Sequence, residues 1–366
     1  MFCSNNASEL LSADVMFCSG LSEAWDLVDQ LAEKAVYLNK RFSVGGRHVA
    51  ALPQTLRFGE CFNGPMEKID KSWPNPLPDW SIFSKDYLKH SSFTVMTSRG
   101  CPYKCKFCSS SAFWGTYIPL PVERVIAEIK QLAELGAKKI IIFDDLFTAN
   151  VERLRQIAQR IIAEGLHTIE YNCLVRADNI SYEALDLLRL MNVTGAAFGA
   201  ESGSNKMLKS MNKKSTKEIN QECINKMLSY SYSPVFSMVV GFPGENKATL
   251  HDSLSFIENN KSSCLCEVYP VQPLPGTWLW DYFINKYSPD LNTFQWDSLR
   301  IRGNVVDWDR YNILSDDCSK DDLRDFFNAF NSIYSTSTIK NSKEIHSAKL
   351  KRAFSLKDIF KRLRGA

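Results

Sequence analysis

Residues 140–163 read IIIFDDLFTANVERLRQIAQRIIA, and this stretch sets the grammar of the chain. Its first four residues are apolar without alternation, as in a strand covered on both faces. Asp144 and Asp145 end the run. Leu154, Ile157 and Ile161 then recur at helical spacing over 151–163. The stretch is one strand–turn–helix unit.

Working outward, the same unit recurs on both sides. A strand over 93–97 precedes a cysteine-rich loop and a helix over 122–135, where Gly136 supplies the C-terminal stop. Strands are expected at 169–175, 196–200, 235–241 and 265–271. Helices are expected at 182–191, 219–228 and 248–258. That makes six units, the last without an evident helix. A closed barrel needs eight, so the α/β pattern predicts an open, partial (β/α)6 barrel. In such folds the chemistry gathers at the carboxyl ends of the strands.

The 366 residues are 45% hydrophobic and 23% charged, an ordinary globular balance, and the formal charge of +3 gives no reason to expect nucleic acid. Eleven cysteines, most of them isolated, and no positively charged leader argue for reduced thiols and a cytoplasmic protein. The linear reading divides the chain into a small α/β segment at 1–63, a proline-rich linker at 64–91, the barrel at 92–280 and a C-terminal extension at 281–366. A strand at 14–18, a helix at 22–35 and a strand ending in Gly45-Gly46 belong to the first, and a helix over 321–334 to the last. The tail, 340–364, has nine Lys or Arg against two acids and an apolar stripe, which suits either a solvated tail or peripheral contact with an anionic membrane.

The segment Arg99-Gly100-Cys101-Pro102-Tyr103-Lys104-Cys105-Lys106-Phe107-Cys108 carries the chemistry. Iron–sulfur clusters are held by closely spaced thiolates on a loop, and three ligands to four irons leave one iron open. Zinc is the alternative. It usually takes four ligands in paired C-x-x-C units, and no fourth Cys or His follows within thirty residues.

The spacing C-x-x-x-C-x-aromatic-C resembles the radical S-adenosylmethionine (SAM) superfamily, and most closely its branch with an N-terminal cobalamin-binding domain. The resemblance runs over 99–276. It implies a [4Fe–4S] cluster on Cys101, Cys105 and Cys108, with SAM at the open iron and Phe107 against its adenine. Asp145 in FDDLF (143–147) resembles the acidic position after the second strand. Arg176 in YNCLVRAD implies a contact near the SAM carboxylate. Glu201 and Ser202 in GAESGS (199–204) imply contacts to the amino group or ribose, and Gly241 opens the loop GFPGE. Residues 13–53, with the turn Gly45-Gly46-Arg47-His48, resemble the second half of a cobalamin domain. The first half and any D-x-H-x-x-G are missing, which puts cobalamin in doubt. His48 is expected to be structural.

The function implied is that of a radical SAM enzyme. An external one-electron reductant such as flavodoxin or ferredoxin feeds the cluster, SAM is cleaved, and a 5′-deoxyadenosyl radical acts on an unactivated carbon of a small-molecule or lipid-linked substrate. Methyl transfer, rearrangement and oxidation all stay open. A catalytically incomplete subunit that binds cluster or SAM, and a zinc-stabilised binding protein, are the alternatives.

Overall fold

A computed structural model describes residues 13–62, 64, 76–80, 92–300 and 306–334. The basic tail and most of the expected linker lie outside these residues. The chain opens with β1 (Val15–Ser19), α1 (Trp25–Tyr37), β2 (Arg41–Gly45), α2 (Arg47–Ala51) and β3 (Glu60–Cys61). Next come β4 (Phe93–Val95), β5 (Ser98–Arg99), α3 (Ser109–Trp114), β6 (Ile118–Pro119), α4 (Val122–Glu134) and β7 (Lys139–Ile142). The series continues with α5 (Val151–Ala163), β8 (Glu170–Val175), α6 (Tyr182–Leu190), β9 (Val193–Glu201), α7 (Asn205–Ser210) and α8 (Lys217–Ser229). It ends with β10 (Val235–Val240), α9 (Lys247–Asn260), β11 (Leu265–Pro270), α10 (Trp278–Tyr287) and α11 (Lys320–Ile333).

Two compact units result, each gathered from separated stretches. The first comprises 1–75, 103–115 and 271–314, and the second 76–102, 116–270 and 315–366. The division passes between Pro102 and Tyr103, inside the cysteine segment.

The second unit contains the six-stranded sheet, ordered β11-β10-β9-β8-β7-β4. Every neighbouring pair is parallel. Because spatial order follows chain order, each crossover leads to the next strand. Among the described residues β4 and β11 form the two edges, so the sheet is open there and fits the (β/α)6 expectation. Apolar faces drive this packing: Val125, Ile126, Ile129 and Leu132 of α4 are buried, as are Leu154, Ile157 and Ile161 of α5. The caps are local. The Asn150 side chain accepts from the Arg153 N–H at α5, Ser181 caps α6, Thr216 caps α8, and Asn246 forms a capping box with Thr249 at α9.

The first unit holds a parallel sheet ordered β1-β2-β3. The helix expected from Ser22 begins as a 3₁₀ turn over Ser22–Ala24, and α1 follows at Trp25. The sixth unit's helix, absent from the sequence reading, is α10, and it belongs to this unit. No helix among the described residues is long and apolar enough to cross a membrane.

Candidate functional site

The cysteine segment begins where β4 ends, and two aspartates from the end of β7 fix that exit. The Asp144 carboxylate accepts from the Thr97 N–H, the Thr97 hydroxyl and the Ser98 hydroxyl, all at 2.6 Å. It is buried, and burial pushes its carboxyl up, opposed by those same hydrogen bonds. Asp145 Oδ2 accepts from the Gly100 N–H at 3.0 Å, one residue before Cys101. Arg153 of α5 donates to the Thr97 carbonyl at 2.8 Å. The antiparallel ribbon β5–β6 pairs Ser98 with Pro119 and Arg99 with Ile118. It closes the base of the loop that carries the three cysteines. Asn150 caps α5, and the aspartates brace the loop entry.

Within the loop, the Cys108 N–H donates to the Cys105 carbonyl at 3.1 Å, making a tight turn with Lys106 and Phe107 at its tip. Phe107 is half-buried. So are Cys101, Cys105 and Cys108. Four cysteines elsewhere, Cys173, Cys223, Cys264 and Cys318, are buried, and burial pushes their thiols up, to about 12 for the last three. Thiolates are the ligands, so burial disfavours these four as ligands. Among the described residues no three His, Cys, Asp or Glu side chains gather as around a single ion. A four-iron cluster asks for a wider triangle, since each thiolate binds its own iron. By donor chemistry the loop fits a cluster.

The other sequence-predicted residues fall at successive strand ends of the second unit. Arg176 directly follows β8, is buried, and pairs through Nε with Asp178 Oδ1 at 2.6 Å. Glu201 ends β9 at a bulge, where the pairing with β10 steps from Gly199 to Glu201. Its φ of +65° is left-handed. The buried carboxylate accepts from Lys213 Nζ at 2.7 Å. A Cβ on Gly199 would stand 1.9 Å from Glu201 Oε1, so that residue type leaves room for the carboxylate.

Ser202 is fully buried. Its hydroxyl meets that of Ser253 of α9 at 3.1 Å and accepts from the Ser204 N–H. A Cβ on Gly203 would stand 2.4 Å from the Asp252 carbonyl, so glycine permits this docking. Gly241 directly follows β10 with φ +87°. Close by in the chain, Glu245 is fully buried, and burial raises its carboxyl to about 7 although Thr249 donates a hydrogen bond to it.

Two of these groups were not singled out by their sequence. Lys213 stands between two helices in MNKKST, and nothing in that spacing marks it as buried. Glu245 was visible only as part of a glycine turn.

His48 of the first unit is fully buried between the rings of Trp25 (3.9 Å) and Trp296 (4.5 Å). Its Nδ1 meets the Ser22 hydroxyl at 3.0 Å and its Nε2 the Thr55 hydroxyl at 2.9 Å. Both ring nitrogens are thus engaged, and burial lowers the imidazole to about 3. His48 is a core residue.

The radical SAM superfamily model matches residues 95–257. An uncharacterized methyltransferase of Pyrococcus horikoshii is 31% identical over 214 residues, covering 57% of this chain and 46% of that protein. An anaerobic magnesium-protoporphyrin IX monomethyl ester cyclase of Cereibacter sphaeroides is 25% identical over 65% of this chain and 38% of its own. The chain therefore spans less than half the length of these two relatives. Among solved structures, the fold is similar to the radical SAM methyltransferase TsrM from Kitasatospora setae, solved with cobalamin and a [4Fe–4S] cluster, with TM-score 0.62, 14% identity and coverage of 75% and 67% of the two chains. Residues 95–257, from the end of β4 into α9 and including the cysteine loop, thus match the radical SAM superfamily model.

Proposed function

We propose that this chain is a radical SAM enzyme in which Cys101, Cys105 and Cys108 ligate a [4Fe–4S] cluster that binds and cleaves SAM. The observation that carries this reading is the bracing of the loop entry by Asp144 and Asp145. It fixes the chain up to Gly100, one residue before Cys101, past the carboxyl end of an edge strand, and such ends are where this class of fold keeps its chemistry. When bound, the cluster and SAM supply reductive cleavage of a carbon–sulfur bond, and with it radical chemistry at unactivated carbon.

The chain's own residues then divide the labour. The thiolates would hold the cluster, and Phe107 would be the residue for the SAM adenine. Arg176, Glu201, Ser202 and Gly241 would contribute to holding the rest of SAM. Asp145 acts through the loop backbone, as a positioning residue. Lys213 donates to the Glu201 carboxylate and fixes its position. Methyl transfer to a small molecule, with electrons from an external one-electron carrier, is the outcome favoured by the relatives named above as methyltransferases.

Anaerobic reconstitution with iron and sulfide, followed by dithionite and SAM, is the test. Methionine and 5′-deoxyadenosine should form in step, and Cys105→Ala should abolish both. A reconstituted chain that carries cluster yet cleaves no SAM would instead identify a binding subunit.

A further inference from the structure

The first unit brings three distant stretches together around the second half of the cysteine loop, and Arg47 is where they meet. Arg47 opens α2, directly after Gly45-Gly46. Its Nη1 donates to the Ser109 hydroxyl at 2.9 Å and its Nη2 to the Ser110 hydroxyl at 3.0 Å. Those serines form the first turn of α3, whose N-terminal flanking residue is Cys108 itself. The guanidinium also lies 6.0 Å from the centre of the Phe113 ring. From the other side, the Leu279 N–H of α10 donates to the Lys106 carbonyl at 3.2 Å, and Lys106 Nζ stands 4.2 Å over the Trp278 ring. A Cβ on Gly276 would stand 3.1 Å from Ala51 of α2 and 3.8 Å from Ala112 of α3, so the three segments close on one another with little spare room.

We infer that the Gly-Gly-Arg-His turn is a clasp for the cluster-binding loop, with Arg47 as the positioning residue that fixes Cys108. This deepens the function proposed above and rests on it for the identity of what is held. It also gives the N-terminal segment a task without cobalamin. A two-pronged donor suits the task, because a guanidinium engages two oxygens in fixed geometry, whereas an ammonium is a point charge. His48, locked between Trp25 and Trp296, anchors the turn from below.

The test uses the whole chain in two forms. In the metal-free protein, hydrogen exchange of the amides of 105–114 should quicken at least about tenfold in Arg47→Ala and in Ser109→Ala/Ser110→Ala. Exchange in β7 and β8 should stay at parent rates, which separates loss of the clasp from general unfolding. In the reconstituted protein, the same variants should lose iron to a chelator about tenfold faster. They should also alter the electron paramagnetic resonance spectrum of the reduced cluster, with Arg47→Lys only partly restoring it. Parent-like exchange over 105–114 in both Ala variants overturns the clasp. A parent protein that takes up no cluster but shows the exchange difference overturns the cofactor reading and leaves the clasp standing.

Discussion

The two units are built on opposite plans. The second repeats one short pattern, so its polar residues at the strand ends find partners within the same sheet-and-helix frame: Asp144 with Thr97 and Ser98, Glu201 with Lys213, Ser202 with Ser253. The first is held by links between stretches far apart in the chain, such as Arg47 with Ser109 and Ser110, and Lys106 with Leu279. Burial also shifts a titratable group in each unit, in opposite senses. It lowers the His48 imidazole of the first and raises the Glu245 carboxyl of the second. Repetition makes a scaffold whose site recurs at predictable places. Cross-connection makes a clamp whose parts can be found only in three dimensions.

The largest test of this contrast is Lys213→Met, which strands the Glu201 carboxylate in a buried site. Removing one partner of a buried ion pair destabilises by about 3–5 kcal/mol, so denaturant unfolding of the second unit should shift by that much. Adding Glu201→Gln should recover most of it, while exchange protection of α1 stays unchanged.

Acid and base should then pull the units apart. The Glu245 carboxyl is raised in the fold from 4.5 to about 7. The folded state therefore holds its proton more tightly, and stability is full below pH 4.5 and lost as pH rises toward 7. The span corresponds to about 3 kcal/mol, and Glu245→Gln should flatten it. His48 runs the other way. Its imidazole is lowered from 6.5 to about 3, so its contribution is complete above pH 6.5 and fades as pH falls. Between pH 7 and pH 5 the first unit should lose about 2 kcal/mol. Amide exchange of α1 against α5, followed across pH, reads both limbs in one experiment.

At the small end, Lys261→Ala removes a solvent-exposed partner of Glu258. Such pairs contribute little, and both transitions should stay where they are.

Legibility in the sequence divided elements from contacts. The helix at 151–163 was bounded correctly from Leu154, Ile157 and Ile161 alone, and all six sheet strands were located to within a few residues, because burial on both faces leaves apolar runs. α10 escaped because Trp278, Trp280, Tyr282, Phe283 and Tyr287 put aromatic rings on opposite faces, blurring the stripe, although only Leu279, Trp280 and Phe283 are buried. α7 is too short to show a period. The cysteine loop and the order of the strand-end motifs were readable as sequence. Lys213 as the partner of Glu201, the bracing role of Asp144, and the reach of Arg47 across 62 residues were not. Those depend on which turns the sheet brings together, and spacing along the chain carries no record of it.

The central claim is that three thiolates on one braced loop hold a four-iron cluster. Counting iron, sulfide and zinc in the anaerobically reconstituted chain, beside single Ser variants of Cys101, Cys105 and Cys108, tests it directly. The account predicts about four irons and four sulfides per chain, lost or destabilised in each variant. Zinc in place of iron, no metal at all, or a cluster that survives all three substitutions would contradict it.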